Sequence, residues 1–249
     1  MKKVLKNSLI LASLVTISAT SVQANHPKSG FYAGAALGGT ALTGKSNLSL
    51  NRFVGAPIAN NVPQNFNPTI GDKNFAADIF VGFGKRFNCT WVGFEVLASL
   101  SSLTANAPLD ITPLTAGADN GQFLSIKTSN AWGGTFNFGY YMNPTTKLYL
   151  KLGLESRRFR TNFNGTGNAA VAAADPNILS VVKNTTSTAF VPGFGLETDL
   201  TPRLSLRTDY RIALHPRKTT NVTNSATQFS NIRTKPTIHY FNLGLVVKI

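Results

Sequence analysis

Hydrophobic and polar residues alternate with a period of two along most of the chain, and long helical patterns are missing after residue 24. Successive side chains of a strand point to opposite faces, so this alternation predicts strands with one apolar and one polar face. The pattern predicts eight strands, at residues 30–39, 74–87, 90–101, 122–142, 146–162, 186–200, 203–215 and 236–249. We therefore expect an all-β fold.

Short and long connections alternate between the predicted strands. Three connections are tight turns built from Asn, Pro, Thr and similar residues, such as Asn143-Pro144-Thr145. The four other connections are rich in Asn, Thr, Ser, Ala and Gly, and comprise residues 40–73, 102–121, 163–185 and 216–235. Strict alternation places every long loop at one end and every short turn at the other. This arrangement is typical of outer-membrane barrels, which have short periplasmic turns and longer external loops.

Nearly every charge in the predicted strands lies on the face opposite the apolar one. In the fifth strand, for example, Leu150 and Leu152 oppose Lys151. In the fourth strand the alternation assigns Ile126 to the apolar face and Lys127 to the charged face. A Lys or Arg facing lipid at mid-bilayer costs about 2–4 kcal/mol, so a membrane barrel would turn the charged face inward. The predicted ion network in the lumen comprises Arg86, Glu95, Lys151, Glu155, Arg157, Glu197, Arg207, Asp209 and Arg211.

A soluble β-sandwich or a lipocalin-like barrel would show the same alternation with its faces reversed. Three features favour the membrane barrel. The charged face carries both signs in near balance, and the last strand, residues 236–249, stands at the end of the chain with an apolar face. Aromatic residues also cluster beside the short turns, as interfacial residues do: Trp91, Tyr140, Tyr141 and Tyr149. We therefore predict an eight-stranded antiparallel up-and-down transmembrane β-barrel in a bacterial outer membrane.

The first 24 residues have the features of a secretory signal peptide. Three lysines, the last of them Lys6, precede an apolar run at residues 9–17, and Val22-Gln23-Ala24 supplies a cleavage site of small residues. The apolar run is too short to span about 30 Å of hydrocarbon. We expect a signal peptide at residues 1–24 and one barrel domain at residues 25–249. With Cys89 as its single cysteine, the exported chain has no internal disulfide.

Several stretches resemble the small opacity-protein and OmpA-like eight-stranded outer-membrane barrels. They are GFYAGAALGG at residues 30–39, VPGFGLE at 191–197 followed by LTPRLSLRTDYR at 200–211, and the terminal strand. The resemblance implies a surface protein of a Gram-negative bacterium. It also implies that the assembly machinery recognises the last strand, through Phe241, Leu243, Leu245, Val247 and Ile249. Since no residues follow Ile249, we expect the family's periplasmic peptidoglycan-binding domain to be absent.

Two classes of function fit the barrel, a structural or adhesive surface antigen and a narrow porin-like channel. The last long loop carries four cations and no acid, which suits lipopolysaccharide phosphates or sulfated host glycans: Arg217, Lys218, Arg233 and Lys235. The expected partners are outer-membrane lipid, lipopolysaccharide, the assembly machinery and host-surface glycans or proteins, with no nucleic acid. A lipid-modifying barrel enzyme is a further alternative, but His215 and His239 lack a neighbouring Ser nucleophile. We expect no enzyme activity, catalytic residue, cofactor or metal site.

Overall fold

The computed structural model describes residues 29–53, 61–108, 123–164, 180–223 and 229–249. The predicted signal peptide, residues 1–24, lies outside the described residues. The regular elements of the described residues are the strands β1 (Ser29–Phe53), β2 (Asn61–Phe66), β3 (Thr69–Phe87), β4 (Thr90–Leu100), β5 (Thr104–Pro108), β6 (Phe123–Tyr141), β7 (Thr146–Asn164), β8 (Ser180–Asp199), β9 (Leu204–Leu214), β10 (Lys218–Thr223) and β11 (Phe229–Lys248). Within these described residues, no helix is long and apolar enough to cross a bilayer.

Eight of these strands form a closed antiparallel barrel. In order around the wall they are β1, β3, β4, β6, β7, β8, β9 and β11. β11 then pairs with β1 from Tyr32↔Lys248 to Leu50↔Ser230, which closes the cylinder. Closure leaves no strand edge in hydrocarbon, where an unpaired backbone group would cost several kcal/mol. The predicted fold class, an eight-stranded up-and-down barrel, is confirmed.

The strands extend further towards the long-loop end than the pattern predicts. β1 continues to Phe53 and β11 begins at Phe229, although the alternation assigns residues 40–53 and 229–235 to loops. Three short strands of the described residues also lengthen the wall, since β2 pairs with β1, β5 with β6 and β10 with β11. The predicted bounds of all four loops were therefore wrong. These extensions are rich in Ser, Thr and Asn and pair through backbone hydrogen bonds. Because they lack the alternation of apolar and polar residues by which strands are predicted, the sequence did not indicate them.

The apolar face of the wall points outward and the charged face points into the lumen. Large apolar side chains are exposed on strands all around the barrel, among them Leu37, Ile79, Val96, Phe136, Leu150, Phe194, Leu214 and Leu243. In contrast, Lys151 and Arg207 are only 2% and 1% exposed. A soluble barrel would have the reverse arrangement. The outward face forms an apolar belt that suits the hydrocarbon of a bilayer.

A β-bulge in β6 changes which side chains face the lumen. Thr128 pairs with Phe159 and Ala131 pairs with Arg157, so Ser129 and Asn130 together stand opposite the single residue Arg158. The extra residue shifts the alternation by one position. Ile126 is therefore buried inside the barrel and Lys127 is exposed outside. The sequence-based assignment of these two residues was wrong because it assumed unbroken alternation.

Candidate functional site

The centre of the lumen holds a buried cluster of ion pairs from four strands. Arg207 on β9 donates from Nη1 to Glu95 Oε2 on β4 at 2.6 Å, and from Nη2 to Glu197 Oε2 on β8 at 2.9 Å. Lys151 on β7 donates to Glu95 Oε1 at 3.1 Å. Hydrogen bonds to ionised partners are stronger than neutral ones, and they satisfy charges that burial would otherwise destabilise. The cluster ties together opposite walls of the cylinder.

A second buried cluster lies on the external side of the first. Arg211 donates from Nη1 to Asp78 Oδ2 at 2.6 Å, and Asn242 donates from Nδ2 to the same oxygen at 2.7 Å. Tyr240 receives a hydrogen bond from Arg157 Nη2 at 2.6 Å and donates to Glu155 Oε1 at 2.8 Å. Together the two clusters contain most of the charged residues that the alternation assigns to the lumen.

The structure also places some residues differently from the predicted network. Arg86 lies at the periplasmic end, where its Nε donates to Asn88 O at 2.8 Å and its guanidinium lies 3.8 Å from the Tyr141 ring centroid. It is thus separate from both clusters. Asp78 and Lys147 belong to the lumen contacts but not to the predicted set, and Lys147 pairs with Glu197 at 3.0 Å. The alternation in the sequence places Asp78 on the lumen face of its strand. Only the tertiary structure, however, determines that Asp78 pairs with Arg211 on β9.

Aromatic rings fill the space between the lumen cations. The Arg207 guanidinium lies 4.6 Å from the Phe80 ring centroid, and that of Arg211 lies 4.2 Å from the Tyr240 centroid. At the periplasmic end, Lys147 Nζ lies 3.8 Å from a ring centroid of Trp91. Trp91, Tyr141 and Tyr149 are buried inside the barrel, so the sequence-based assignment of these three rings to the membrane interface was wrong, whereas Tyr140 is exposed. Cation–π contacts of this kind are attractive when the cation is shielded from water. Side chains, rather than an open passage, thus occupy the described part of the lumen.

An apolar layer lies inside the barrel on the external side of the ion pairs. Its larger members are all buried: Leu42, Ile70, Leu103, Ile126, Phe159 and Ile238. His215, one residue beyond the end of β9, packs against Phe159 with ring centroids 4.7 Å apart. Burial, together with the positive charge of Arg157, lowers the pKa of His215 from 6.5 to about 4. The layer therefore favours a neutral imidazole.

The two histidines that raised the enzyme alternative do not share a site. His215 is buried inside the barrel, whereas His239 is half-buried on the outer face, with Nδ1 2.8 Å from Tyr210 Oη. A nucleophile and its base must lie within hydrogen-bonding reach of each other. The wall separates these imidazoles. Within the described ranges, no cluster of three or more His, Cys, Asp or Glu residues is arranged to hold a metal ion.

Three of the four cations of the predicted polyanion-binding loop lie on the β-hairpin formed by β10 and β11, and the fourth lies just before β10. Arg233 and Lys235 share the outward face of β11 and are exposed, and Lys235 stands directly opposite Lys45 on β1. Lys218 begins β10 and pairs with Thr234, which puts it on the other face of the hairpin. Arg217 is exposed just before β10. The structure therefore brings Arg233 and Lys235 together and separates Lys218 from them.

Closed barrels of this size, with an apolar outer belt and a charged core, define a class of small outer-membrane proteins. The model of the outer membrane protein beta-barrel domain family matches residues 9–248, and the chain belongs to that family. Its place is therefore the bacterial outer membrane. No curated protein matches the sequence.

Solved structures with a similar fold include three small outer-membrane proteins. OprG from Pseudomonas aeruginosa is 12% identical, with a TM-score of 0.53, over 90% of this chain and 99% of its own. Neisserial surface protein A is 15% identical, with a TM-score of 0.36, over 90% of this chain and 100% of its own. Ail, the attachment invasion locus protein of Yersinia pestis, is 11% identical, with a TM-score of 0.30, over 84% of this chain and 98% of its own. At these identities the OprG match supports the fold alone.

Proposed function

We propose that this protein is a closed surface barrel whose external strands and loops bind partners, while the barrel itself anchors them in the membrane. The filled lumen is the observation that carries this proposal. Arg207 bridges Glu95 and Glu197, and Arg211 contacts Asp78, so cations reach from one wall to acids on other strands. An eight-stranded barrel is only wide enough for side chains to fill. An ion crossing it would have to break these buried pairs and then pass the apolar layer.

Single-channel recording in a planar bilayer tests the closed barrel. We expect the refolded protein to show no stable openings, because ion pairs and an apolar layer fill the part of the lumen that the structure describes. A porin reconstituted in the same way shows that the measurement detects open barrels. Stable openings of this protein would contradict the proposal and favour the alternative function, a narrow channel along the lumen charges.

The proposed binding role rests on the positive charge of the hairpin formed by β10 and β11. Arg217, Arg233 and Lys235 are exposed, and Lys218 is partly exposed on the opposite face. Such a surface attracts polyanions through Coulomb forces that weaken as salt is added. We propose sulfated host glycans as its partners, which makes the protein an adhesive surface antigen. The two faces of the hairpin would contribute unequally, with Arg233 and Lys235 acting together.

Heparin chromatography of the refolded protein tests the hairpin. Replacing Arg217, Lys218, Arg233 and Lys235 by Gln should lower the salt concentration needed for elution. The matched control replaces Lys85 and Arg203, exposed cations at the periplasmic end, by Gln. The control should elute much closer to the wild-type protein than the hairpin variant does, because it removes two separate cations whereas the hairpin variant removes four neighbouring ones. If the hairpin variant and the wild-type protein elute at the same salt concentration, the hairpin does not bind heparin and the proposed binding role is wrong.

Two features of chain processing complete the proposal. Residues 1–24 act as a cleaved signal peptide, so the mass of the protein extracted from outer membranes should correspond to residues 25–249. The outward face of β11 acts as the assembly signal, through Phe241, Leu243, Leu245, Val247 and Ile249, all of which are exposed. Replacing Phe241 by Ser should lower the yield of folded barrel in cells but not refolding in detergent. An unchanged cellular yield would exclude Phe241 from the signal.

The proposal includes no catalytic role, since no serine hydroxyl of the described residues is hydrogen-bonded to His215 or His239. Incubation of the purified barrel with lipid A should leave the lipid unchanged. Release of acyl chains would contradict this part of the proposal.

A further inference from the structure

Three cations share the outward face of the wall at the external end of β6 and β7. Lys127 on β6 stands directly opposite Arg160 on β7, and Arg158 lies two residues before Arg160 on the same face. All three side chains are exposed. Directly opposite residues have Cβ atoms about 4.5–5.5 Å apart, where like charges destabilise the sheet. This cluster, the β6–β7 cation cluster, is therefore unfavourable unless an anion neutralises it.

The wall supplies no such anion. The cross-strand neighbours on the same face are neutral: Thr104 opposite Lys127, Thr186 opposite Arg158 and Asn184 opposite Arg160. Within the part of the chain that the structure describes, none of the three cationic groups forms an ion pair. Any anion that neutralises the cluster therefore comes from outside these strands.

The cluster begins where the apolar belt ends. Trp132, on the outward face of β6, is 69% exposed and pairs across the strands with Ser156, two residues before Arg158. Below it on the same face lie exposed Phe136 and Leu154. Tryptophan is enriched at the boundary between hydrocarbon and headgroups. The three cations consequently lie at the headgroup level of the external leaflet, directly beyond side chains that contact lipid tails.

The bulge in β6 is what turns Lys127 outward to face this leaflet. Hydrogen bonds hold the bulge on both sides: Leu103 N donates to Thr128 Oγ1 at 3.1 Å, and Ser129 Oγ donates to Arg158 O at 3.4 Å. Without the extra residue, Lys127 would point into the apolar layer inside the barrel and Ile126 would face outward. Bulges commonly re-aim a side chain in this way. Here the result is a Lys aligned with Arg160 on the lipid side of the wall.

We propose that the β6–β7 cation cluster binds the phosphate groups of lipid A, the membrane anchor of lipopolysaccharide, while Trp132 packs against its acyl chains. Guanidinium groups bind phosphate through two parallel hydrogen bonds, and the lysine ammonium adds a third donor group. Along the wall towards the middle of the membrane, the cations come first, then an aromatic ring and then aliphatic side chains. This order matches that of the lipid, in which the phosphates come first and the acyl chains follow. This site is separate from the β10–β11 hairpin and does not depend on the proposed adhesive role.

Lipid binding by the full barrel in nanodiscs of neutral lipid tests the proposal. The probes are bisphosphorylated lipid A and the same lipid without phosphates, and native mass spectrometry measures bound lipid. We expect a preference for the phosphorylated form that is lost when Lys127, Arg158 and Arg160 are all replaced by Gln. Each cation near an anionic surface contributes about fivefold in affinity, so three should contribute roughly 100-fold. Heat-modifiable gel mobility verifies that the variant is folded.

Two controls make the result specific. The Lys85→Gln and Arg203→Gln variant removes periplasmic cations and should keep the preference for phosphorylated lipid A. A heparin fragment should displace little lipid A from the wild-type protein, since sulfated glycans lack the acyl chains that would pack on Trp132. The proposal is overturned if the wild-type protein does not distinguish the two lipids, or if the triple variant distinguishes them equally well. Displacement by heparin as effective as by lipid A itself would also overturn it, because the cluster would then be a general polyanion surface.

Discussion

Arg207 and Glu95 form a 2.6 Å ion pair across the full width of the barrel. Three strands separate β9 from β4 in either direction around the wall, so the two residues lie on opposite sides of the cylinder. Both side chains are almost completely buried. A pair of this kind fixes the distance between opposite walls and fills the lumen at the same point. The stability of the barrel and its closed state therefore depend on the same contacts.

Replacing Glu197 by Ala should destabilise the barrel. Glu197 accepts from Arg207 and pairs with Lys147, so its removal leaves two buried cations with fewer partners. Breaking a buried ion pair by removing one partner typically costs about 3–5 kcal/mol. The temperature at which the protein shifts from folded to unfolded mobility in a gel should fall. Thr188→Ala, an exposed site on the same strand, should leave it unchanged. An unaltered transition in the Glu197 variant would count against the ion network.

Two glycines should respond oppositely to the addition of a methyl group. A Cβ on Gly195 would collide with the Tyr149 hydroxyl and lie 2.6 Å from Thr208 O, whereas a Cβ on Gly39 would meet nothing within 4 Å. Forcing extra volume into a packed interior costs about 1–3 kcal/mol. Urea unfolding in detergent should show a lower midpoint for Gly195→Ala and no loss for Gly39→Ala. Equal midpoints for the two variants would show that the lumen around Tyr149 is loosely packed.

Chemical labelling of single cysteines should locate the bulge in β6. In a Cys89→Ser background, Lys127→Cys in the barrel refolded in detergent without lipopolysaccharide should react with a water-soluble maleimide, because residue 127 is exposed near the external end. Ile126→Cys should remain unlabelled, since residue 126 is buried inside the barrel. Unbroken alternation from residue 132 would place residue 126 outside and residue 127 inside. Labelling at residue 126 with protection at residue 127 would therefore contradict the bulge.

The neutral His215 should make the barrel less stable in mild acid. Burial holds the pKa of His215 at about 4 in the folded protein, below the ordinary value of 6.5. As the pH falls from about 6.5 to about 4, the unfolded chain binds a proton that the folded chain does not, so the free energy of unfolding decreases over that range. Replacing His215 by Leu should remove this component from the pH dependence measured by urea unfolding. His239→Gln, which leaves His215 in place, should retain it; an identical pH dependence in all three proteins would refute the assignment.

The sequence predicts the class of fold because the barrel's main constraints are local. Each crossing strand must present apolar side chains to lipid and keep charges away from it, which fixes a period of two in stretches such as residues 146–157. Tight turns rich in Asn, Pro and Thr are equally local. These signals are enough to predict eight crossing strands and to place Lys151, Arg207 and Asp209 on the face opposite the apolar one. The direction of that face, into the lumen, was predicted from further features such as the balanced charges and the apolar last strand.

The contents of the lumen needed the tertiary structure. Parity places Arg211 and Asp78 inside the barrel, but nothing in the sequence indicates that residues on β9 and β3 meet. Arg86 has the same parity and yet lies at the periplasmic rim beside Asn88. The choice of partner depends on strand tilt and on the height of each residue in the cylinder, and both are properties of the closed sheet.

The sequence by itself determined that this protein is a β-barrel with an apolar outer face and a charged inner face. The reason is that each side chain of a strand contributes its own free energy of transfer from water to lipid. The tertiary structure alone decided how far the polar strands extend beyond the membrane and where the bulge reverses the alternation. It also decided which charges pair across the lumen. Those outcomes depend on backbone pairing and on contacts between distant strands. A bulge of one residue is sufficient to exchange the positions of Ile126 and Lys127, and no local preference of either residue reveals it.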